Sequence, residues 1–179
     1  MNWFGVKDGD PRAVALYRRH YSCRNPKIDY VRWGFSGKGE SMVLLTLDCR
    51  ALWCWRRVET EGIYCSVFRN EGDILSSELV KEADLLAWER WGDDTRHYTH
   101  VNPREVKGDG KCFKAAGWSK RRERTQKHRL VILEIFREPP PMKGELVMTV
   151  DSCGGEIFGH QSCYVAQICK GQVPSTTTD

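Results

Sequence analysis

The chain has 179 residues and a formal net charge of +4 at pH 7, and 40% of its residues are hydrophobic. That length suits one domain with at most a small appendage, and that composition can bury a core, which excludes wholesale disorder. No apolar run approaches the roughly 18–20 residues that cross a bilayer, and residues 1–10 lack the basic and apolar regions of a secretory signal. We therefore expect a soluble, cytoplasmic protein that does not engage a membrane.

The first predicted elements are a strand and a helix. A short apolar run at Trp3–Val6 predicts the strand. Asp10 and Pro11 then supply an N-cap and a first-turn proline for a helix that runs to about His20. Three strand-like runs follow, of which the first two form a hairpin: 41–47, Ala51–Val58 and 63–68.

A long helix is predicted over Ser76–Trp91, where apolar residues recur at helical spacing. Ser76 and Ser77 are expected to cap it, and Glu78 lies in the first turn, where the helix dipole favours an acid. The face expected to pack against the sheet comprises Leu79, Ala83, Leu86, Ala87 and Arg90.

The last elements of this domain are a strand, a short helix and a hairpin. They are predicted at His97–Val101, 110–116, 118–122 and 130–136. The order β-α-β-β-β-α-β-α-β-β predicts a mixed α/β domain over residues 1–137. Residues 138–179 are expected to form a separate proline-rich linker and small appendage, with one strand at 145–150.

The chain contains eight cysteines, whose placement does not resemble a disulfide framework. Four of them fall in strand-like or helix-like runs and are expected to be buried free thiols: Cys49, Cys54, Cys65 and Cys112. The candidate zinc ligands of the appendage are Cys153, His160, Cys163 and Cys169. Because they lack the closely spaced cysteine pairs that zinc favours, we predict no metal site, with zinc binding as the alternative.

Positive charge is concentrated in one segment. Residues 107–129 carry nine lysines and arginines against two acids, whereas the remaining residues sum to a net charge of −3. A second basic stretch spans residues 18–32. Clustered positive charge indicates a polyanionic partner, either the phosphates of a cofactor or nucleic acid. The alternative is a solvated hairpin tip that binds nothing.

Two junctions in the chain carry groups suited to a ligand. Strand 63–68 leads through a glycine-bearing loop to the helix at Ser76, whose N-terminal amides suit a phosphate. Pro103 holds Asn102 in an extended conformation at the end of a strand, where its side-chain amide is available to a ligand. The alternative for the first junction is that it binds nothing. The alternative for Asn102 is that its side chain satisfies only its own turn.

The element order, the strand–loop–helix junction and the run VNP…KCFKAAGW resemble the GNAT superfamily of acyl-CoA N-acyltransferases over about residues 3–137. The resemblance implies a mixed, mostly antiparallel sheet that splays between its fourth and fifth strands, with helices on both faces. It implies that acetyl-CoA or another acyl-CoA lies in that gap, with its pyrophosphate at the start of the long helix. The cofactor contacts that it implies are Phe68, Ser76, Ser77, Glu78, Asn102 and Phe113.

Within that superfamily the chain most resembles the phage-borne branch related to the Mom DNA-modification protein. Three short motifs carry this resemblance: His20-Tyr21-Ser22, Ser77-Glu78-Leu79 and Asn102-Pro103. The first motif implies a catalytic group of His20, Tyr21 and Ser22, in which His20 is the base and Tyr21 is a positioner or acid. The alternative for His20 is a capping or surface residue at the end of the helix. The branch also implies DNA as the partner.

Two departures from the superfamily pattern concern the cofactor. The usual pyrophosphate signature, Arg/Gln-x-x-Gly-x-Gly/Ala, is matched in its first half by residues 69–72, two residues early, and Ile74 and Ser76 occupy its glycine positions. Phe113 stands where a tyrosine often protonates the leaving thiolate. We therefore expect a differently shaped loop, and another group or solvent as the acid.

The acceptor side is expected to be positively charged. The run 119–129 (SKRRERTQKHR), with the arginines at and after the end of the first helix, is expected to form a positive wall around the acceptor opening. The nucleic-acid contacts predicted within this wall are Arg19, Arg24, Lys120, Arg121, Arg122 and Arg124. Trp53, Trp55 and Trp118 are expected to help hold a DNA backbone and a flipped or modified base. A backbone amide near Cys65 and Ser66 is expected to bind the thioester carbonyl, with a Cys65 nucleophile as a disfavoured alternative.

The sequence thus predicts an N-acyltransferase that moves an acyl group from acyl-CoA to an amine. The preferred acceptor is a DNA base or a modified base in a phage DNA-hypermodification pathway. Two alternatives stay open. One is an acyltransferase for a small-molecule or protein amine, and the other is a GNAT-fold module that has lost catalysis and binds nucleic acid.

Overall fold

A computed structural model describes residues 1–92, 94–106 and 108–137 in full, together with the backbone of 147–150 and 156–159. The chain divides into two compact units, Met1–Glu138 and Pro139–Asp179. No helix among the described residues is long and apolar enough to cross a membrane.

The first unit contains a seven-stranded sheet with helices on both faces. Its elements are β1 (Trp3–Val6), α1 (Pro11–Arg18), α2 (Tyr30–Trp33), β2 (Ser41–Thr46), β3 (Ala51–Val58), β4 (Gly62–Asn70), α3 (Ser76–Trp91), β5 (His97–Val101), α4 (Lys111–Ala115), β6 (Ser119–Arg124) and β7 (Val131–Ile135). The strand order is β1-β2-β3-β4-β5-β7-β6, and every pair is antiparallel except β4 with β5. This confirms the predicted mixed, mostly antiparallel sheet; the short helix α2 was not predicted.

The second unit contains an antiparallel pair, β8 (Val147–Val150) and β9 (Glu156–Gly159). Strand β8 falls within the strand predicted at 145–150. The four candidate zinc ligands lie outside the described residues, so the question of metal in the appendage stays a prediction: Cys153, His160, Cys163 and Cys169.

Alternation along β3 divides the core into two layers. Successive side chains of a strand point to opposite faces. Trp53 and Trp55 accordingly pack with α3 and α4, whereas Leu52 and Cys54 pack with α1 on the other face. Since all four are fully buried, β3 is a central strand covered on both sides.

The helix α1 begins as predicted and ends earlier. The Asp10 side chain accepts a hydrogen bond from the backbone N–H of Arg12, and Pro11 occupies the first turn. The last helical residue is Arg18 rather than His20. The His20-Tyr21-Ser22 motif therefore lies outside the helix, in the turn that follows it.

The predicted serine cap of α3 was wrong. The N-cap residue is Leu75, in an extended conformation and without a capping side chain, and Ser76 already lies inside the helix. The Ser76 hydroxyl instead accepts a hydrogen bond from Asn70 Nδ2 at 3.0 Å. The backbone amides of Ser76 and Ser77 donate to no group in the described part of the chain, so the helix start keeps free donors.

Five cysteines lie in the described residues, and all are free thiols. Cys54 and Cys65 are buried as predicted, whereas Cys49 and Cys112 are only half-buried. Cys49 occupies the turn between β2 and β3 with a φ of 55°, which takes its side chain out of the strand that was expected to bury it.

Strands β4 and β5 separate soon after they meet. Their parallel pairing covers Ile63–Cys65 and His97–Thr99 only. Beside that point β4 carries a bulge at Ser66, since Trp55 of β3 pairs with Cys65 and the preceding Cys54 pairs with Val67. A bulge bends its strand and increases the local twist, so the sheet opens into a gap beyond Cys65, as the sequence predicted.

A buried carboxylate holds three elements together beside this gap. Asp84 of α3, at 2% exposure, lies 2.8 Å through Oδ1 from Nδ1 of His97 in β5. Its Oδ2 accepts a hydrogen bond of 2.8 Å from Nε1 of Trp118, just before β6. Burial raises the pKa of the Asp84 carboxyl, and the hydrogen bond from His97 opposes that rise. The predicted packing face of α3 missed this residue and included Arg90, which is exposed.

We predict that Asp84→Asn destabilises the protein by about 1–3 kcal/mol, because an amide N–H group would then face the donor of His97 or Trp118. Urea unfolding followed by tryptophan fluorescence measures the change. Glu89→Gln, an exposed change on the same helix, is the control. Equal midpoints for the two variants would contradict the structural role of Asp84.

Candidate active site between the splayed strands

Two cavities adjoin in the gap between β4 and β5. The inner cavity, of about 210 Å³, extends between the strands towards α3 and α4. The outer cavity, of about 540 Å³, opens on the side of the β6–β7 turn. Three side chains line both cavities, those of Tyr21, Ser66 and His100. A group bound in one cavity therefore meets a group bound in the other at these three residues.

The inner cavity combines apolar walls with polar groups at one end. Phe68, Val101 and Phe113 are among its apolar lining residues, and Asn70 and Ser76 line it where α3 begins. Such a slot suits a chain with a phosphate at its end, because the free amides at the helix start favour an anion.

Asn70 shapes the loop that leads from β4 to α3. Its Nδ2 donates to the carbonyl of Ile74 at 2.8 Å, and its Oδ1 accepts from the amide of Gly72 at 2.9 Å. One side chain thus closes the loop in place of the glycines that the sequence lacks at Ile74 and Ser76. Asn70 belongs to the displaced signature at residues 69–72, from which no role for its side chain was predicted.

The residues proposed as cofactor contacts are divided between the two cavities. Phe68, Ser76 and Phe113 line the inner cavity, whereas Asn102 lines the outer one. The Asn102 Oδ1 atom accepts a hydrogen bond of 3.1 Å from the amide of Arg104, so its acceptor oxygen serves its own turn. Ser77 and Glu78 follow on α3 without lining either cavity.

An ionic cluster joins the end of α1 to the end of β4. The carboxylate of Glu71 accepts two hydrogen bonds of 2.8 Å from Arg19 and a further one from Arg69. Arg69 also donates to the carbonyl of Arg19 at 2.5 Å. Hydrogen bonds from Arg19 and then Arg69 lower the pKa of Glu71 to about 2. The cluster places His20, Tyr21 and Ser22 across the gap, and it already neutralises Arg19, a proposed nucleic-acid contact.

His20 is held as a neutral, weakly basic ring. It is 8% exposed, and its Nδ1 lies 2.7 Å from Ser22 Oγ and accepts from the Ser22 amide at 3.2 Å. Burial, followed by the charge of Arg69, lowers the pKa of His20 to about 4. The Tyr21 ring lies against it with a centroid distance of 4.3 Å. These contacts favour a positioning role for His20 towards Tyr21 over the base role expected from the motif.

His100 is a site residue that the sequence analysis missed. It is half-buried on β5 and lines both cavities, and its ring centroid lies 5.2 Å from that of Tyr64. Burial lowers the pKa of His100, while the charge of Glu61 opposes that shift. The signal lay in the run HYTHV, because strand alternation separates His100 from the core residue His97.

Cys65 has the surroundings of a structural thiol. It is fully packed in the core and its Sγ contacts the carbonyl of Val67 at 3.7 Å. Burial raises the pKa of the Cys65 thiol well above its ordinary value, which opposes the thiolate that a nucleophile requires.

The expectation that Trp53, Trp55 and Trp118 contact nucleic acid was wrong. All three are at most 3% exposed and belong to the core layer under α3. Trp55 and Trp118 stack on each other at 6.3 Å within that layer. Since β3 is a central strand, its tryptophans have no route to the surface.

Among the described residues, four cations line the outer cavity, and three of them belong to the predicted positive wall. Arg24 and, in the β6–β7 turn, Lys127 and Arg129 were expected there, whereas Arg104 comes from the loop after β5. Of the six cations named as nucleic-acid contacts, only Arg24 lines the cavity. On β6, Lys120 pairs with Asp109 at 2.7 Å and Arg121 with Glu123 at 3.4 Å. The remaining predicted cations, Arg122 and Arg124, are exposed on the same edge strand.

No cluster of three or more potential metal ligands occurs among the side chains that the structure describes. The outer cavity is lined by hydroxyl, imidazole, amide and cationic groups, which suit anions and hydrogen-bonding ligands better than a magnesium or calcium ion. The inner cavity adds the thiols of Cys65 and Cys112.

We predict that His20 makes stability depend on pH. Because its pKa falls from an ordinary 6.5 to about 4 in the folded protein, the unfolded chain takes up a proton at higher pH than the folded one. The stability associated with neutral His20 is complete above about pH 6.5 and is lost as pH falls towards 4. Melting temperatures between pH 4 and pH 7.5 should therefore fall less for His20→Asn than for the wild type. Substitution of the exposed His128 by Asn should keep the wild-type slope, and parallel curves for all three proteins would refute the assignment.

Comparison with solved structures supports the fold. An acyl-CoA N-acyltransferase from Pseudomonas aeruginosa matches with a TM-score of 0.51 and 16% sequence identity, over 76% of this chain and 99% of that chain. No protein-family model matches the sequence, and no curated protein is significantly similar to it. The chain therefore has the GNAT fold that its sequence predicted.

Proposed function

We propose that this protein is an N-acyltransferase that moves an acyl group from an acyl-CoA, such as acetyl-CoA, to an amine. The observation that carries the proposal is the meeting of two cavities at Tyr21, Ser66 and His100, between strands that separate. A thioester in the inner cavity and an amine in the outer cavity would react at that junction. Holding both reactants in contact supplies much of the rate enhancement of such a transfer.

The donor arm would enter the inner cavity from the start of α3. Its pyrophosphate would accept hydrogen bonds from the amides of Ser76 and Ser77, and Phe68 and Phe113 would pack on the pantetheine chain. The nucleotide end of the cofactor would lie outside this cavity of about 210 Å³. The opened segment of β4 beyond Cys65 would supply a backbone amide to the thioester oxygen, which gains negative charge in the transition state.

His100 is the group best placed to accept a proton from the attacking amine. The nitrogen must be neutral when it attacks the thioester carbon, as the exocyclic amine of a nucleic-acid base already is. As the C–N bond forms and the C–S bond breaks, the nitrogen would pass a proton to His100 and the departing thiolate would take a proton. Burial raises the pKa of Tyr21, so its hydroxyl stays protonated and would serve as that donor where Phe113 cannot.

We propose further that the amine belongs to a DNA base or modified base, as in phage DNA hypermodification. Support comes from the His20-Tyr21-Ser22 motif and from the cations at the outer cavity. Duplex DNA would have to present the base in flipped form, because a cavity of this kind admits only an extruded or single-stranded base.

We predict that acetyl-CoA and free CoA raise the melting temperature in a saturable way, because a ligand of the native state stabilises it as its concentration passes Kd. Cys112→Trp places a large ring in the inner cavity and should abolish this shift. Ala115→Trp, exposed on the same helix α4, should keep it. A shift of equal size in both variants would place the cofactor elsewhere, and none up to millimolar cofactor in the wild type would remove the proposed function.

We predict that His100→Gln lowers the rate of transfer by about 100-fold or more, the size of effect typical of a lost general base. The assay is release of the CoA thiol from acetyl-CoA in the presence of mixed-sequence single-stranded DNA. The variant should keep the thermal shift with CoA, since the proposed cofactor contacts at Phe68, Ser76, Ser77 and Phe113 are unchanged. A wild-type rate in His100→Gln would assign the proton transfer to solvent or to another group.

A further inference from the structure

We infer that the outer cavity holds a phosphate group of the acceptor together with its base, so that a single amine-bearing nucleotide is the smallest acceptor. The inference deepens the proposed function and rests on it for the chemical step. Binding of the phosphate itself is a separate property, which can be measured without any acyl transfer.

Four cations converge on this cavity from three separate segments. Arg24 comes from the stretch after α1, Arg104 from the loop after β5, and Lys127 and Arg129 from the β6–β7 turn. No aspartate or glutamate lines the cavity among the described residues. None of the four side chains forms an ion pair within that part of the chain.

Several other cations of the described surface are neutralised. Arg19, Arg96 and Lys120 each pair with a carboxylate at 2.7–2.8 Å. Like charges gathered around one concavity repel each other and raise the local positive potential, which attracts an anion. The unpaired set at the outer cavity therefore favours the binding of a phosphate group.

The floor of the cavity favours a nucleotide over a bare phosphate. Tyr21, Tyr64 and His100 place three rings there, and Tyr64 and His100 lie 5.2 Å apart between centroids. Aromatic side chains stack on nucleic-acid bases with little dependence on sequence. A volume of about 540 Å³ falls within the roughly 300–1,000 Å³ typical of small-ligand sites.

The nucleotide has two possible sources with the same phosphate chemistry, a free nucleotide or one residue of a DNA strand. The cavity cations would contact the phosphate in either case. The exposed arginines of β6, Arg121 and Arg122, lie outside the cavity lining and would contact only the flanking phosphates of a strand. Substitution of one group of cations or the other therefore distinguishes a free nucleotide from a residue of a DNA strand.

The test is isothermal titration of the whole protein with deoxyadenosine and deoxycytidine monophosphates, the matching nucleosides, inorganic phosphate and a single-stranded 12-mer. We expect the nucleotides to bind at least tenfold more tightly than the nucleosides or phosphate. The double variant Arg24→Gln/Arg129→Gln should weaken nucleotide binding by about tenfold or more, since each phosphate contact involves a full charge. Arg121→Gln/Arg122→Gln should leave nucleotide binding unchanged and weaken only the 12-mer, with a reduced salt slope.

Equal affinity for nucleotides and nucleosides would overturn the inference, as would a 12-mer that binds while the nucleotides do not. Unchanged nucleotide binding in Arg24→Gln/Arg129→Gln would also overturn it. The thermal shift with CoA is measured on the same samples, so that failure of the phosphate site can be distinguished from failure of the transferase proposal. Nucleotide binding without a CoA shift would uphold the phosphate site and reject the transferase, and the opposite result would reject only the phosphate site.

Discussion

The separation of β4 from β5 after Cys65 and Thr99 is the constraint on which the site depends. A parallel pair that stops leaves backbone groups without ladder partners, and buried polar groups of that kind are costly. Thr99 supplies a partner for one of these backbone groups, because its hydroxyl donates to the Cys65 carbonyl at 2.9 Å. The bulge at Ser66 turns the rest of β4 away from β5. The ladder therefore ends in a gap, and both cavities occupy that gap.

Two ties of different character hold the walls of the gap. On the inner side, the buried Asp84 carboxylate joins α3 to His97 of β5 and to Trp118 before β6. At the protein surface, Glu71 joins the end of α1 to Arg69 of β4 through half-exposed ion pairs. The buried tie fixes the position of α3, because a low-dielectric surrounding strengthens its hydrogen bonds. The exposed tie is weaker and more sensitive to salt, which suits a segment that borders a binding cavity.

Local patterns in the sequence predicted most of the elements but not the contacts between them. Helix 76–91 and the hairpins carry strong periodicity and turn signals, and they occur where expected. The run ALWCWRRV is apolar on both faces of its strand, a pattern typical of a strand buried on both sides, so it already indicated that Trp53 and Trp55 lie in the core. The pair Asp84–His97 spans thirteen residues across two elements, and only the packed structure brings it together. Likewise the charge of segment 107–129 was evident, whereas the part of it that turns towards a cavity depends on the fold of the hairpin.

The two histidines beside the gap differ in role because their surroundings differ. His20 is buried, accepts hydrogen bonds from Ser22 and feels the charge of Arg69, so it stays neutral and holds Tyr21 in place. His100 is half-buried at the junction of the cavities, with no hydrogen bond to either ring nitrogen from the described residues. In the proposed transfer, a ring with a free lone pair at that junction would take up the proton of the attacking nitrogen. The motif would then position Tyr21 as the proton donor, and β5 would supply the base.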